Sequence, residues 1–489
     1  MALTLVALLA LAPALDFLPS AKVPRAYLEA VAALQSIEVC EGKVPRPTSS
    51  ARHVFDTEGG DKLVKPVHLR RVKVAAGYGL HFDAAKQLGF PFASGEQLLA
   101  PDMLCATEHA VLKAADGSLE AHRSNVIKIL RTHGEQLRPY SLSLNAELMP
   151  PDVFKISRGM NVLMLAAFVD AYDLPDKDIA RCFWHGFQAI GAVPDSHAHR
   201  LLAPPTTLDI ARFESNLQQI MIGNEAWADE VERIVTKRNK ASSVSADTHD
   251  RLNAIVETTE KELTKGLISK GLSRGQVTHK WGFGRYRPMI RSAVFQGEKW
   301  RCIDDGRRSL LNNATLLLET IVTPSYELPL HVARAAAAIA NRHGIPHAEL
   351  HYGLDDLLAA FRTLPTSQQQ FNLFVTWSPR LQRIEYHYCY GFVFGLKSSV
   401  TQFNRFPEVT AAVARRLGVP TAHYVDDFQV VDVAAAKASG QDIIYEIHCQ
   451  VGDGIAAGQP RPFISAPAVE LAKRKPMAPS NITLWKMCA

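Results

Sequence analysis

At 489 residues, with 47% hydrophobic and 21% charged side chains, the chain has the composition of a folded globular protein and is too long for one ordinary core, so roughly two to four domains are expected. A net charge of only +5 excludes a polyanion-binding protein that works through overall charge, so any attraction to nucleic acid has to come from local patches. Seven scattered cysteines without a C-x-x-C pair argue against a disulfide framework and for reduced thiols inside the cell.

The chain opens on MALTLVALLALAPAL, an uncharged apolar run. It is too short to span a bilayer as a helix, and no basic residue follows Met1 to start a secretory signal. Small residues near Ser20 and Ala21 would suit signal cleavage, but a docked apolar helix within residues 1–44 explains the run as well. The expectation is a soluble intracellular protein, cytoplasmic or nuclear, with no membrane partner.

Residues 45–235 read as a separate N-terminal domain of mixed α/β type, with many breakers and no repeat. Within it, Cys182-Phe183-Trp184-His185 and His197-Ala198-His199 supply metal-type residues, although not at a zinc spacing. The polar run TKRNKASSVS marks a linker over 236–250. A second unit, 251–432, starts with a helix whose apolar face carries Leu252, Ile255, Val256, Leu263 and Leu267. Next, Lys280-Trp281-Gly282-Phe283-Gly284-Arg285-Tyr286-Arg287 interleaves basic and aromatic residues, as a nucleic-acid surface does; snorkelled cations over a small apolar cluster give the same pattern. Then come a strand at KWRCID, an alanine-rich helix closed by Gly344, and a strand ending near Asp356. Strands at FNLFVTW and RIEYHYCY, a helix from about Pro407 to Leu417 and a hairpin at AHYVDDFQVVD complete the unit. Helices interleaved with an antiparallel sheet give an α+β class. Residues 433–489 are enough for a small C-terminal segment only.

Three acidic pairs stand out: Asp304-Asp305, Asp355-Asp356 and Asp426-Asp427. The last interrupts an apolar, strand-forming run, where two carboxylates cost several kcal/mol unless a cation compensates them. In the middle pair, strand alternation lets only one carboxylate face a site shared with Asp426-Asp427.

The order KWRCIDD, DLLAAFRTLP, FGLKSSVTQFNR, YVDDF resembles the reverse transcriptases, particularly divergent ones from retroelements, over roughly residues 265–489. The resemblance implies a right-hand polymerase: fingers and an antiparallel palm sheet over 251–432, with a reduced thumb after it. It also implies RNA-directed DNA synthesis from dNTPs on an RNA or DNA template-primer. The family pattern D-x-x-x-A-Y/F falls on Asp356, Ala360 and Phe361, which leaves Asp355 as a flanking residue. Asp356, Asp426 and Asp427 are then the catalytic residues and the ligands of two Mg²⁺ ions, for which Mn²⁺ could substitute. Phe361 becomes the gate that excludes a 2′-hydroxyl, with a core phenylalanine as the competing reading. Arg301, assisted by Lys299, meets the triphosphate; a strand arginine paired with Asp304 or Asp305 explains it equally. Gly395, Leu396, Lys397, Ser398 and Ser399 form the loop against the nascent base pair, with Gln402 or Phe403 on the next turn. Lys475, in KRKPMAPSN, is the lysine for the leaving pyrophosphate.

The segment YEIHCQVGDGIAAGQPRPFISAPAVE departs from the family and reads as an inserted loop. The primer-grip hairpin shrinks to ITLWKMCA, and no RNase H constellation or integrase-type zinc motif is present in the sequence. Two alternatives stand beside the polymerase reading: a degenerate or domesticated relative that binds nucleic acid without synthesis, and an RNA-directed RNA polymerase, disfavoured by Phe361 and by YVDD in place of Gly-Asp-Asp.

Overall fold

The computed structural model describes residues 13–40, 99–222, 224–239, 246–297, 299–324, 328–357 and 360–452. Its first half is helical: α1 (Arg25–Ser36), α2 (Pro101–Ala115), α3 (Leu119–Leu148), α4 (Pro151–Ser157), α5 (Val162–Ala171), α6 (Ile179–His185), α7 (Thr207–Ile222) and α8 (Asn224–Asn239). A proline at the first position of α2 and of α4 starts each helix where the missing amide costs nothing. Helix α5 is apolar except for Asp170 and wholly buried, as a central helix is.

Of the mixed α/β domain expected over 45–235, residues 45–98 lie outside the described residues and the rest is mainly helical. Its only strands there are β1 (Gly191–Ala192) and β2 (Arg200–Leu201), two residues each. They pair across the expected boundary, with β5 (Thr315–Leu316) and β6 (Glu319–Thr320) respectively. The expected linker is also shorter than 236–250, because α8 runs to Asn239 and α9 (Ala246–Thr264) begins soon after.

A four-stranded sheet follows in the order β4-β3-β8-β9, formed by β3 (Pro288–Gln296), β4 (Lys299–Asp304), β8 (Leu373–Ser378) and β9 (Arg383–Tyr388). Its pairs are antiparallel except β3 with β8. Helix α10 (Arg274–Trp281) precedes it, held by a Ser273–Gln276 capping box. Helix α11 (Leu328–His343) ends at Gly344, whose φ of +64° is the left-handed stop that glycine accommodates. A three-stranded antiparallel sheet in the order β10-β11-β7 carries the hairpin, from β7 (Leu350–Asp356), β10 (Thr421–Tyr424) and β11 (Asp427–Val433).

Two helical expectations are corrected. The helix expected from Pro407 is α13 (Lys397–Arg416), following the short α12 (Ala360–Thr363); it begins ten residues earlier and holds Pro407 buried in its interior. The stretch YEIHCQV is no loop but the last two turns of α14 (Ser439–Val451), whose Ile443, Ile444, Ile447 and Val451 are buried.

Helix α14 belongs to the main core, and so do α1, α3, α5, α6 and α13. The core therefore does not divide near residue 236. Gly134 lets α3 approach α14, because a side-chain carbon there would run into Gln450. The amide of Asn161 donates to the carbonyl of Val451 at 2.7 Å, and Arg123 of α3 forms a buried bidentate pair with Asp432 of β11. Phe428 and Val430 point into this core, whereas Val431 and Val433 on the opposite face are covered by α2 and α11. No described helix is long and apolar enough to cross a membrane.

Candidate functional site

The site begins with a two-residue hairpin turn. Tyr424 of β10 pairs with Asp427 of β11, leaving Val425 and Asp426 at the tip. Val425 has φ +58°, a left-handed conformation that a β-branched residue rarely adopts, so the turn stores strain that its surroundings must hold. Strand β7 lies alongside β11 in a register that sets Asp356 opposite Asp427 and Asp355 opposite Phe428. The amide of Leu357 donates to the Asp426 carbonyl at 2.9 Å, extending the contact to the tip.

The register separates the middle acidic pair. Asp355 is buried and accepts from Gln441 Nε2 of α14 at 3.3 Å, on the Phe428 side of the sheet. Asp356 takes the other parity as the register partner of Asp427; its side chain is not among those described. Asp427 is exposed and Asp426 half-buried. Partial desolvation, followed by the charge of Asp426, pushes the Asp427 carboxyl above its ordinary range. Tyr352, Leu354 and Tyr424 are large exposed side chains on these same strands. The Tyr352 hydroxyl is also pushed up, by burial and then by Asp427.

Beneath the turn runs a chain of charge that motif reading missed. His423 Nε2 meets Glu408 Oε2 at 3.0 Å, and its Nδ1 faces the Val425 carbonyl at 3.4 Å. Glu408 also accepts from Arg415 at 3.1 Å, and Arg415 pairs with Asp102 of α2 and donates to the Thr421 carbonyl of β10. Burial alone would raise Glu408, but the His423 hydrogen bond and the Arg415 charge outweigh it and hold the carboxyl far below its usual range. Glu408 and Arg415 are seven residues apart, two turns on one face of α13, which is the signal that could have found them.

The KWRCIDD segment divides between surface and core. Lys299 and Arg301 are exposed on β4, across from Gln296 and Val294 of β3. Asp304 is fully buried and pairs with Arg291 Nε at 2.8 Å and Arg362 at 3.1 Å, not with Arg301. Glu262 closes the network onto both arginines, at 2.7 and 2.8 Å. Arg362 follows Phe361, so this network fastens the segment after β7 to the four-stranded sheet.

Gly395 sits against the end of β4, and a side-chain carbon there would collide with the Asp304 carbonyl. Lys397 is exposed at the start of α13, its amide bound to Asn312 Oδ1 at 2.7 Å. Ser399 is buried and its hydroxyl donates to the Val393 carbonyl at 2.7 Å. Gln402 and Phe403 are buried too. Phe361 is half-buried between Phe394 and Phe403, with ring centroids 5.4 and 5.2 Å away. Lys475 lies outside the described residues, as do MALTLVALLALA and the segment after Gly452.

The basic-aromatic run is chiefly a packing cluster: Tyr286 and Arg287 are buried, and Lys280 pairs with Asp152 at 2.9 Å while lying over Trp281 and Tyr388. Cys182 accepts from Arg405, and burial pushes His199 down to about 4. Among the described residues, which do not include the Asp356 side chain, no three His, Cys, Asp or Glu side chains are grouped as a metal site. No protein-family model matches the sequence, and no curated protein matches it.

The arrangement thus offers two neighbouring carboxylates on a strained, anchored turn, a third aspartate position in register beside them, and exposed aromatic side chains on the flanking strands. Hard cations suit such a group, because carboxylate oxygens are their preferred ligands and a divalent ion would relieve the repulsion that raises Asp427.

Proposed function

We propose that the chain is an RNA-directed DNA polymerase of the reverse-transcriptase type, extending a primer 3′-hydroxyl with dNTPs on an RNA or DNA template. The observation that carries this reading is the β7–β11 register. It sets Asp356 beside the Asp426-Asp427 turn although some seventy residues intervene, as the motif order implies.

Asp356, Asp426 and Asp427 would hold two Mg²⁺ ions, or Mn²⁺ in their place. When bound, these supply acidification of the primer hydroxyl and charge neutralisation on the leaving pyrophosphate. The remaining work falls to the chain's own side chains. Arg301 and Lys299, exposed on the β3–β4 hairpin, offer a guanidinium fork and a point charge to the triphosphate. Phe361 limits space at the sugar, its ring braced by Phe394 and Phe403. Gly395 acts by close backbone approach, fixing the loop that leads into Lys397. The His423–Glu408–Arg415 chain holds the strained turn in place. No side-chain nucleophile is required.

Primer extension on an RNA template with Mg²⁺ tests the reading, comparing the wild type with Asp356→Ala and Asp426→Ala. Extension by the wild type and its loss by at least about 100-fold in each variant is expected. A wild type that cannot extend sinks the proposal.

A second reading is favoured by α14. The helix that follows the hairpin packs into the main core. A nucleic-acid-binding protein without synthesis would retain template-primer in a shift assay and extend nothing.

A further inference from the structure

Cys40 follows α1, and Cys105 lies in the second turn of α2, yet the two meet. Cys105 Sγ donates to the Val39 carbonyl, next to Cys40, at 3.2 Å. Cys40 Sγ in turn faces the Asp102 carbonyl, one turn before Cys105, at 3.7 Å, and the Arg415 carbonyl at 3.6 Å. Arg416 secures the segment by donating to the Cys40 carbonyl and to Glu38 Oε1.

The two sulfurs are not equivalent. Cys40 is buried, at 3% exposure, whereas Cys105 is partly exposed. The neighbouring Cys40 is the largest influence lowering the Cys105 thiol, and Arg416 assists it against burial; Cys40 is pushed up by Cys105 and by burial. An accessible, acidified thiol beside a buried partner is the arrangement in which one sulfur is attacked first and the other resolves it. Two other cysteines have different company: half-buried Cys182 and buried Cys389 each accept from an arginine, Arg405 and Arg362.

We propose that Cys40 and Cys105 form a reversible two-electron redox site, oxidised by a hydroperoxide to a disulfide that ties the end of α1 to α2. The Cys105 thiolate attacks a peroxide oxygen; the O–O bond breaks, giving the sulfenic acid and a hydroxide that leaves as water with the proton Cys105 released. The Cys40 sulfur then attacks the Cys105 sulfur. An S–S bond forms, the S–O bond breaks, and the departing hydroxide takes the Cys40 proton as a second water. Two sulfurs lose two electrons and the peroxide gains them; a dithiol reductant reverses the change. A single regulatory pair is compatible with the absence of a disulfide framework in the sequence.

The test uses the full-length chain, reduced, freed of reductant and exposed to a small excess of hydrogen peroxide. Remaining thiols are then blocked with N-ethylmaleimide in denaturant before peptide mapping. The expected result is a Cys40–Cys105 cross-linked peptide and the loss of two of the seven titratable thiols, restored by dithiothreitol. The cross-link should form at least ten times faster in the folded chain than in urea, which needs no variant. In Cys40→Ser, dimedone should trap Cys105 as the sulfenic acid. The proposal is overturned if Cys40 and Cys105 stay fully alkylatable while other cysteines oxidise, or if the cross-link forms equally fast in urea.

Discussion

Gly395 packs its α-carbon against the carbonyl of Asp304, with a φ of +139° that residues bearing a side chain avoid. The same junction carries a hydrogen bond from the Asp304 amide to the Phe394 carbonyl at 2.9 Å. Here the loop leading into α13 is fastened to the tail of β4. Gly395→Ala introduces both a clash and a strained backbone, and should destabilise the protein by about 2–3 kcal/mol. Urea denaturation checks this; a midpoint equal to that of the wild type would falsify the close approach.

His423 bridges the strained turn to Glu408. His423→Leu leaves a half-buried carboxylate with Arg415 as its remaining hydrogen-bonded partner in that chain, and the Val425 carbonyl without its ring contact. A loss of about 1–3 kcal/mol is expected on denaturation. If the chain is a polymerase, the extension rate of this variant drops at least ten-fold while KM for dNTP changes little, because the turn carrying Asp426 is displaced and the triphosphate contacts are not. Equal effects on rate and KM would assign His423 a wider structural role.

Asp170 gives a pH dependence with a definite sign. Burial raises its carboxyl from 3.8 to about 6, against the hydrogen bonds it accepts from Tyr27 and the Ala14 amide. The folded protein therefore holds a proton that the unfolded chain releases, and this contribution, about 3 kcal/mol, is full below pH 3.8 and lost as pH rises through about 6. Asp170→Asn keeps the shape and one acceptor, for the Ala14 amide, while its NH2 can donate to the Tyr27 hydroxyl oxygen, and should remove that slope. Thermal midpoints measured from pH 4 to pH 7 should be flatter for the variant than for the wild type; parallel curves count against the assignment.

His448 has the opposite sign. It is fully buried between Phe406 and Phe428, neither ring nitrogen has a partner among the described residues, and burial lowers it from 6.5 to about 4. Its neutral form is favoured in the fold, so stability is present above pH 6.5 and lost as pH falls through about 4. His448→Phe removes the unpartnered polar atoms while keeping a ring of similar shape, and should stabilise the protein by about 1–2 kcal/mol at pH 7. The acid side of its stability curve should flatten as well. A destabilised variant with an unchanged acid limb would show that the ring nitrogens are satisfied in solution.

How far the sequence could be read depended on whether a pattern was local. The AHYVDDFQVVD hairpin, the KWRCID strand and the helix ending at Gly344 declare themselves through alternation, β-branched residues and a left-handed stop, and the structure places them there. Pro407 misled because proline marks helix starts more often than interiors, and only the packing of α13 in the core overrides that preference. Val162–Ala171 is apolar but for Asp170, so no period distinguishes a buried helix from a strand. The site divides the same way: the aspartates were visible as a motif, whereas Arg291, Glu262 and Arg362 around Asp304 come from three distant segments that no spacing connects.

The hydrogen bond from Asn161 to Val451, with the seating of α14 on α3, means that the earliest helices are finished by the last described one. On a ribosome, α5 emerges with nine apolar residues out of ten before the core that will bury them is complete. Until Val451 clears the exit tunnel, that helix must be shielded by transient collapse or by a chaperone. A stop codon placed soon after the hairpin would leave every aspartate of the site in the chain and still deprive the core of its closing helix.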